Sequence, residues 1–266
     1  MTVDRLTRAV REQIAFGRVL PLGGVGDGVW ITESAAADAL RGAVSGLPGV
    51  RVGSLRITPE GDGPRAEPAT EVERTAAGTG AALVPPSAVA PGPLRLSAAF
   101  EAAIDRPLPA TAEGLRSALW DAAHELLGLP VASVDLDVTG LLELPAGPGA
   151  PVLDPAPVPA VEGPSGTVDH DVEGAGPAPA GDPVVVAALL VPGVARVTSR
   201  LGGFASGIRT ADAGDPPARE VRVQIAVVPG HRALDVARAV RTAVTRAAEP
   251  GAPGPVTTAV VVTAFG

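Results

Sequence analysis

Nine prolines, seven acids and no arginine fall between Glu143 and Asp182, and no other feature restricts the fold of this chain as strongly. Such a segment buries too little apolar surface to offset the entropy of ordering it. It therefore reads as an acidic linker, 143–182. A second stretch, PEGDGPRAEPATEVERTAAGTGAALVPPSAVAPG (59–92), shows no sustained period and reads as a disordered insertion. Folding must then proceed in pieces on either side of these breaks. A flexible linker of about 40 residues has a reach of about 35 Å, so the two flanking bodies are expected to stay near each other without needing to dock.

Composition narrows the classes further. Hydrophobic residues make up 46% of the chain, so globular parts must exist despite 33 glycines and 29 prolines in 266 residues. All 21 basic residues are arginine, and seven of the eight excess negative charges sit in the linker. Neither body carries the basic stripe that binding to a phosphate backbone requires, which argues against a nucleic-acid partner. The absence of cysteine removes disulfides, thiolate nucleophiles and zinc ribbons. The start of the chain lacks the apolar run of a secretory signal. The longest strongly apolar run, Val184 to Val191, falls well short of the roughly 20 residues needed to span a bilayer. These features predict a cytoplasmic protein.

The flanking bodies repeat one order of elements. In the first body, 28–142, a short strand at Val29 to Ile31 leads into a helix pattern over Glu33 to Leu47, with Ala36, Leu40, Val44 and Leu47 on one face. A strand over Val50 to Ile57 changes apolar phase at Gly53-Ser54, the mark of a bulge. After the insertion, Leu94, Leu96, Ala98 and Phe100 alternate with polar residues in a half-buried strand. Thr111 is the expected N-cap of a helix over Ala112 to Leu127, stopped by Gly128. The alternation of Val134, Leu136 and Val138 makes the last strand. The second body, 183–266, replays this with a helix over Val184 to Val191, strands from Val194 and over Val221 to Val227, a helix over Arg232 to Ala248, and a strand over Val256 to Phe265. The words Leu47-Pro48-Gly49-Val50 and Val191-Pro192-Gly193-Val194 occupy the same place in each. The expected fold class is α+β: two repeats of strand–helix–hairpin–helix–strand, each a small sheet covered on one face by two helices.

At these repeated words the chain resembles the alkaline-shock-protein family of Gram-positive bacteria. The resemblance rests on WITESAAADALRGAVSGLPGVRV (30–52) and RPLPATAEGLRSALWDAAHELLGLPVASVDLDVTGL (106–141). A degenerate second copy lies in VVVAALLVPGVARV (184–197) and VRVQIAVVPGHRALDVARAVRTAV (221–244). The second copy lacks a clear opening strand, and its last strand follows Ala-Glu-Pro-Gly-Ala-Pro-Gly-Pro. The resemblance implies a role in cell-envelope homeostasis at the inner face of the membrane, through protein contacts and without catalysis or cofactor.

The motifs that carry chemistry are sparse. His124-Glu125 begins like a zinc-protease HExxH, but the second histidine position holds Gly128. Asp169-His170-Asp171 with Glu173 is a dense ligand-type cluster, yet it lies in the linker, where no site is preorganised. Gly23-Gly24-Val25-Gly26-Asp27-Gly28 matches no phosphate-binding loop and reads as a mobile turn. The N-terminal region, 1–27, opens with an amphipathic helix pattern, Val3 to Phe16. Its apolar face of Val3, Leu6, Val10 and Ile14 is expected to dock on the first body, or alternatively to meet a membrane surface or partner. The expected function is a non-enzymatic interaction or scaffold protein, with no metal or cofactor site. Its candidate contact surface consists of the solvent-side sheet positions Arg95 and Glu101 on one strand and Arg222 and Gln224 on its counterpart. The second expectation is a small-molecule or metal-binding module with a site between the two units. A protein partner or self-association is expected in the first case.

Overall fold

Leu20, Leu22, Val29 and Ile31 come from the first thirty-odd residues, and all four are buried in the same core as Val260 and Val262 near the other end of the chain. In the computed structural model, residues 17–24, 26–60, 83–85, 88–142, 181–200 and 207–266 are described. The expected helix Val3–Phe16, the Asp169-His170-Asp171 cluster, most of the 59–92 insertion and all but Gly181 and Asp182 of the 143–182 linker lie outside the described residues.

The elements of the first half are β1 (Val19–Pro21), β2 (Val29–Thr32), α1 (Glu33–Val44), β3 (Val50–Pro59), β4 (Leu94–Ala103), α2 (Leu108–Asp121) and β5 (Val131–Leu142). Those of the second are α3 (Pro183–Leu189), β6 (Val194–Val197), β7 (Ile208–Ala213), β8 (Ala218–Val227), α4 (Ala233–Ala248) and β9 (Val256–Phe265). Local chemistry places most of these boundaries. Thr32 caps α1 by accepting a hydrogen bond from the Ala35 N–H at 3.3 Å, and Asp182 caps α3 by accepting one from Val184 at 2.9 Å. The phase change at Gly53-Ser54 appears as a register shift between Val52 and Leu55 in the β3–β4 ladder.

Helix α2 ends at Gly128 as expected, but its start and the form of its last turn differ. It starts at Leu108, three residues before Thr111, with Pro107 in the cap position and Pro109 in its first turn, where a missing N–H costs nothing. It then continues as a π-helical turn, Ala122–Leu127, closed by Gly128 at φ 84°. The wider turn shifts the apolar stripe by one residue, so Ala123 and Leu127 are fully buried while Leu126 is only partly so.

The class is α+β, with two sheets. One has six strands in the order β1-β2-β9-β8-β6, with β7 also paired to β8; the other is β3-β4-β5. In each half an antiparallel pair (β3–β4, β6–β8) is followed by a parallel one (β4–β5, β8–β9) across a helix. Yet the halves are not self-contained units. Strand β2, expected to open the first sheet, instead lies parallel to β9, with Val29 opposite Val260 and Ile31 opposite Val262. It joins the half that has no opening strand of its own. Helix α1 packs on β3 of one sheet and β9 of the other, α2 lies on β5, and α4 lies on β8, β9 and β2. A single cluster runs from Leu20 through Leu40, Phe100 and Leu115 to Val223 and Val240. The two halves, which the linker alone did not require to dock, do so here: burying a strand of one half against the other merges their cores.

Polar contacts hold the same junction. Arg238 of α4 donates to both carboxylate oxygens of Asp27 at 2.9 and 2.7 Å, and Arg241 donates to the Gly26 carbonyl at 3.1 Å. Asp27 also accepts from the Gly24 N–H at 2.6 Å, and the Gly23 N–H donates to the Gly128 carbonyl at 3.1 Å. At Gly23, Gly24, Gly26 and Asp27 the glycine-rich stretch is thus a clamped loop, against the expectation of a mobile turn. The guanidinium of Arg238 holds the Asp27 carboxyl below its ordinary value of 3.8. A depressed folded-state value means that this pair stabilises the fold above about pH 4 and ceases to do so as pH falls through the folded value. Asp27→Asn is accordingly expected to melt below the parent at pH 7, with the gap closing toward pH 2.5 in a series of thermal melts. A gap that stays constant across that range excludes the pair as its cause.

Candidate functional site

Alternation along a strand sends every second side chain away from the helices, and this sets the two outer sheet faces. On β4 the outward residues include Arg95 and Glu101. Arg95 donates to Asp135 of β5 at 2.7 Å and lies 4.0 Å from Glu60. Glu101 accepts from Arg51 of β3 at 2.8 Å. Both predicted residues are surface groups, as expected, each tied into a cross-strand ion pair of the kind worth little in water. Arg222 and Gln224 stand on β8 in the other sheet, so the four do not form one surface.

Gln224 corrects the prediction. It points outward but is only 2% exposed. Val261 lies directly opposite it on β9, and Trp30 of β2 lies beyond Val261 in the same row. Val19, Trp30 and Val261 form a small second apolar cluster on this face, with Ala88 packed against it. Outward-facing is therefore not solvent-facing here. Among these buried groups the Trp30 indole N–H has no hydrogen-bond partner.

Arg222, two residues before Gln224, stays partly exposed. The antiparallel β7–β8 register places Arg209 directly opposite Arg222, and Ala211 directly opposite Glu220. These four side chains line a depression of about 90 Å3. Glu220 lies 3.5 Å from the Arg222 guanidinium. Arg209 was not visible in the sequence because β7 itself was not: Ile208-Arg209-Thr210-Ala211-Asp212-Ala213 holds a single large apolar side chain. Its signal is an alternation of small and polar residues, which is also what a loop looks like.

A different surface is conspicuous for the opposite reason. Val186, Leu189 and Leu190 on and just after α3 are exposed, Leu190 by 76%, and so is Val228 at the end of β8. The Val228 N–H donates to the carbonyl of Gly193 at 2.8 Å, which brings β8 against the turn that follows α3. Trp120 of α2 is also partly exposed, its ring 4.6 Å from that of His124.

His124 belongs to the π-helical turn; its Nδ1 lies 3.0 Å from the Trp120 carbonyl, and its own carbonyl accepts from Arg232 at 3.0 Å. Among the described residues no group of three or more His, Asp or Glu is placed to hold a metal ion. At the junction between the halves Leu234 packs against Gly128 and Arg238 pairs with Asp27. Among the described residues no helix is long and apolar enough to cross a membrane. Comparison with protein-family models, with curated proteins and with solved structures finds no match.

Proposed function

We propose that this chain is a non-catalytic interaction or scaffold protein that binds a protein partner through the apolar end of the molecule formed by α3 and Val228. The observation that carries this reading is the exposure of Val186, Leu189, Leu190 and Val228, four large aliphatic side chains from adjoining elements. Aliphatic groups exposed in one place, rather than scattered singly, favour a surface that is covered in use. The resemblance to alkaline-shock proteins supports the same class of function and suggests a cytoplasmic place of work beside the cell envelope.

A photocrosslinking residue at position 186 of the full chain, another exposed position of α3, tests the reading in cells. One discrete adduct is expected, either with another protein or with a second copy of this chain. It should disappear in Leu189→Glu/Leu190→Glu, whose melting temperature should match the parent because both side chains are already in water. No adduct, or an adduct that survives the double substitution, overturns the reading.

A further inference from the structure

We propose that residues 3–16 form a helix that lies across one edge of the larger sheet and covers the α3–Val228 surface of the same chain, so that a partner must displace it. The inference rests on the reading that this surface is covered in use, and it names the occupant in the resting molecule. Five strand ends meet at that edge. The Val19 end of β1 stands opposite Thr32, the last residue of β2. Strand β2 runs parallel to β9, and β9 to β8, so Thr32, Phe265 and Val227 finish on the same side; β6 begins there, with Val194 opposite Val227. The Arg18 carbonyl accepts from the Glu33 N–H at 2.8 Å, which fixes where the preceding chain leaves the fold. That point is the β1 corner of the edge. Leu189, Leu190 and Val228 are exposed toward the opposite corner, Leu190 by 76%.

Length and pattern fit this course. Neighbouring strands lie about 4.8 Å apart, so the order β1-β2-β9-β8-β6 spans about 19 Å. A helix over residues 3–16 is about 21 Å long. Its apolar face of Val3, Leu6, Val10 and Ile14 runs that whole length, with Arg5, Arg8 and Arg11 on the other side. Thr7 shares the apolar face and falls about 15 Å from Gly17, level with β8 and Val228. A helix this short is marginal in water by itself. The aliphatic surface offers the apolar contact that the helix needs, and the helix offers the cover that the surface needs. The tether favours this occupant over a second copy, because a segment joined directly to β1 is present at an effective concentration in the millimolar range.

The chain has no cysteine, so one introduced pair reports the contact in the purified full chain. Thr7→Cys/Leu190→Cys, treated with a short bismaleimide, is expected to give an internally crosslinked monomer whose yield does not change with protein concentration. Thr7→Cys/Glu249→Cys is the control and should stay uncrosslinked, because Glu249 is exposed at the far end of α4, about 24 Å along that helix from the Val228 side. Adding Leu6→Glu/Val10→Glu to the first pair should abolish its product. The circular dichroism of Leu190→Cys should match the parent, since that side chain is already in water. The inference is overturned by no product from the first pair, by equal product from both pairs, or by a product that survives the two glutamates. It is equally overturned by a crosslinked dimer whose yield rises with concentration, which makes a second copy the occupant. The assay contains no partner, so its failure leaves the cellular adduct at position 186 as a separate test of the functional reading.

Discussion

A chain cut at an engineered protease site between Ala160 and Val161 will stay together and folded, whereas neither fragment will fold when produced alone. The expectation follows from where β2 goes. In the N-terminal fragment β2 would keep β1 beside it but lose β9, leaving Val29, Ile31, Leu20 and Leu22 without the strand and helix that bury them. In the C-terminal fragment Val260 and Val262 would lose β2, and α4 would lose the loop that Arg238 and Arg241 clamp. Each large aliphatic side chain returned to water costs about 1.5–3 kcal/mol. The four in the N-terminal fragment thus amount to about 6–12 kcal/mol, comparable with the roughly 5–15 kcal/mol by which a whole domain is stable. Size-exclusion chromatography of the cut protein should give a single peak containing both pieces, with the circular dichroism of the intact chain. A cooperative melt from either fragment alone would show that the shared core is dispensable.

The second large effect is expected from a single methyl group. Gly128 closes the π-helical turn at φ 84°, a conformation that costs a side-chain-bearing residue about 1–2 kcal/mol. A Cβ built there would lie 2.6 Å from the Cβ of Leu234 in α4, which must move or force the two halves apart. Overpacking of this kind adds roughly 1–3 kcal/mol, so Gly128→Ala should lose about 2–5 kcal/mol in chemical denaturation. Adding Leu234→Ala to Gly128→Ala should cost less than Leu234→Ala does in the parent, because it removes the Cγ and Cδ2 contacts at 3.2 and 2.8 Å and leaves the Cβ contact and the backbone strain. Gly46→Ala is the matched control, since nothing lies within 4 Å of the added atom. A Gly128→Ala loss below about 0.5 kcal/mol, the size of an ordinary surface change, would mean that the turn and α4 are not rigidly packed.

Most helices and long strands could be read from the residues because their burial is periodic. Leu94, Leu96, Ala98 and Phe100 alternate into the core as the pattern requires, and α4 buries Val236, Val240 and Val244 at helical spacing. What the pattern could not convey is which sheet a strand joins. Val29-Trp30-Ile31 announces a strand by its β-branched and aromatic residues, but backbone hydrogen bonds carry no address. Its preference for β9 is decided by the packing of Val29 and Ile31 beside Val260 and Val262. The same limit explains Gln224. Strand alternation gives its direction correctly, yet whether the outward side meets water depends on a second cluster around Trp30 that no local window contains. The start of α2 was misplaced for a simpler reason. Thr111 is a good cap by type, but prolines at 107 and 109 already favour a first turn four residues earlier. Of the candidate contact residues, Arg95, Glu101 and Arg222 could be assigned to the outer faces from alternation alone. The opposition of Arg209 and Arg222 needed the register of a strand whose composition resembles a loop.

The pairing of Val29 with Val260 also sets a schedule for biosynthesis. At 5–20 residues per second, a ribosome needs on the order of 10–50 s to polymerise the stretch that separates these two positions. Throughout that interval the nascent N-terminal portion holds Leu20, Trp30 and Ile31 with no permanent place to put them. Closing so distant a contact is also intrinsically slow once the chain is released. Newly made molecules should therefore depend on chaperones far more than their modest size suggests, and truncated translation products should be cleared rather than accumulate.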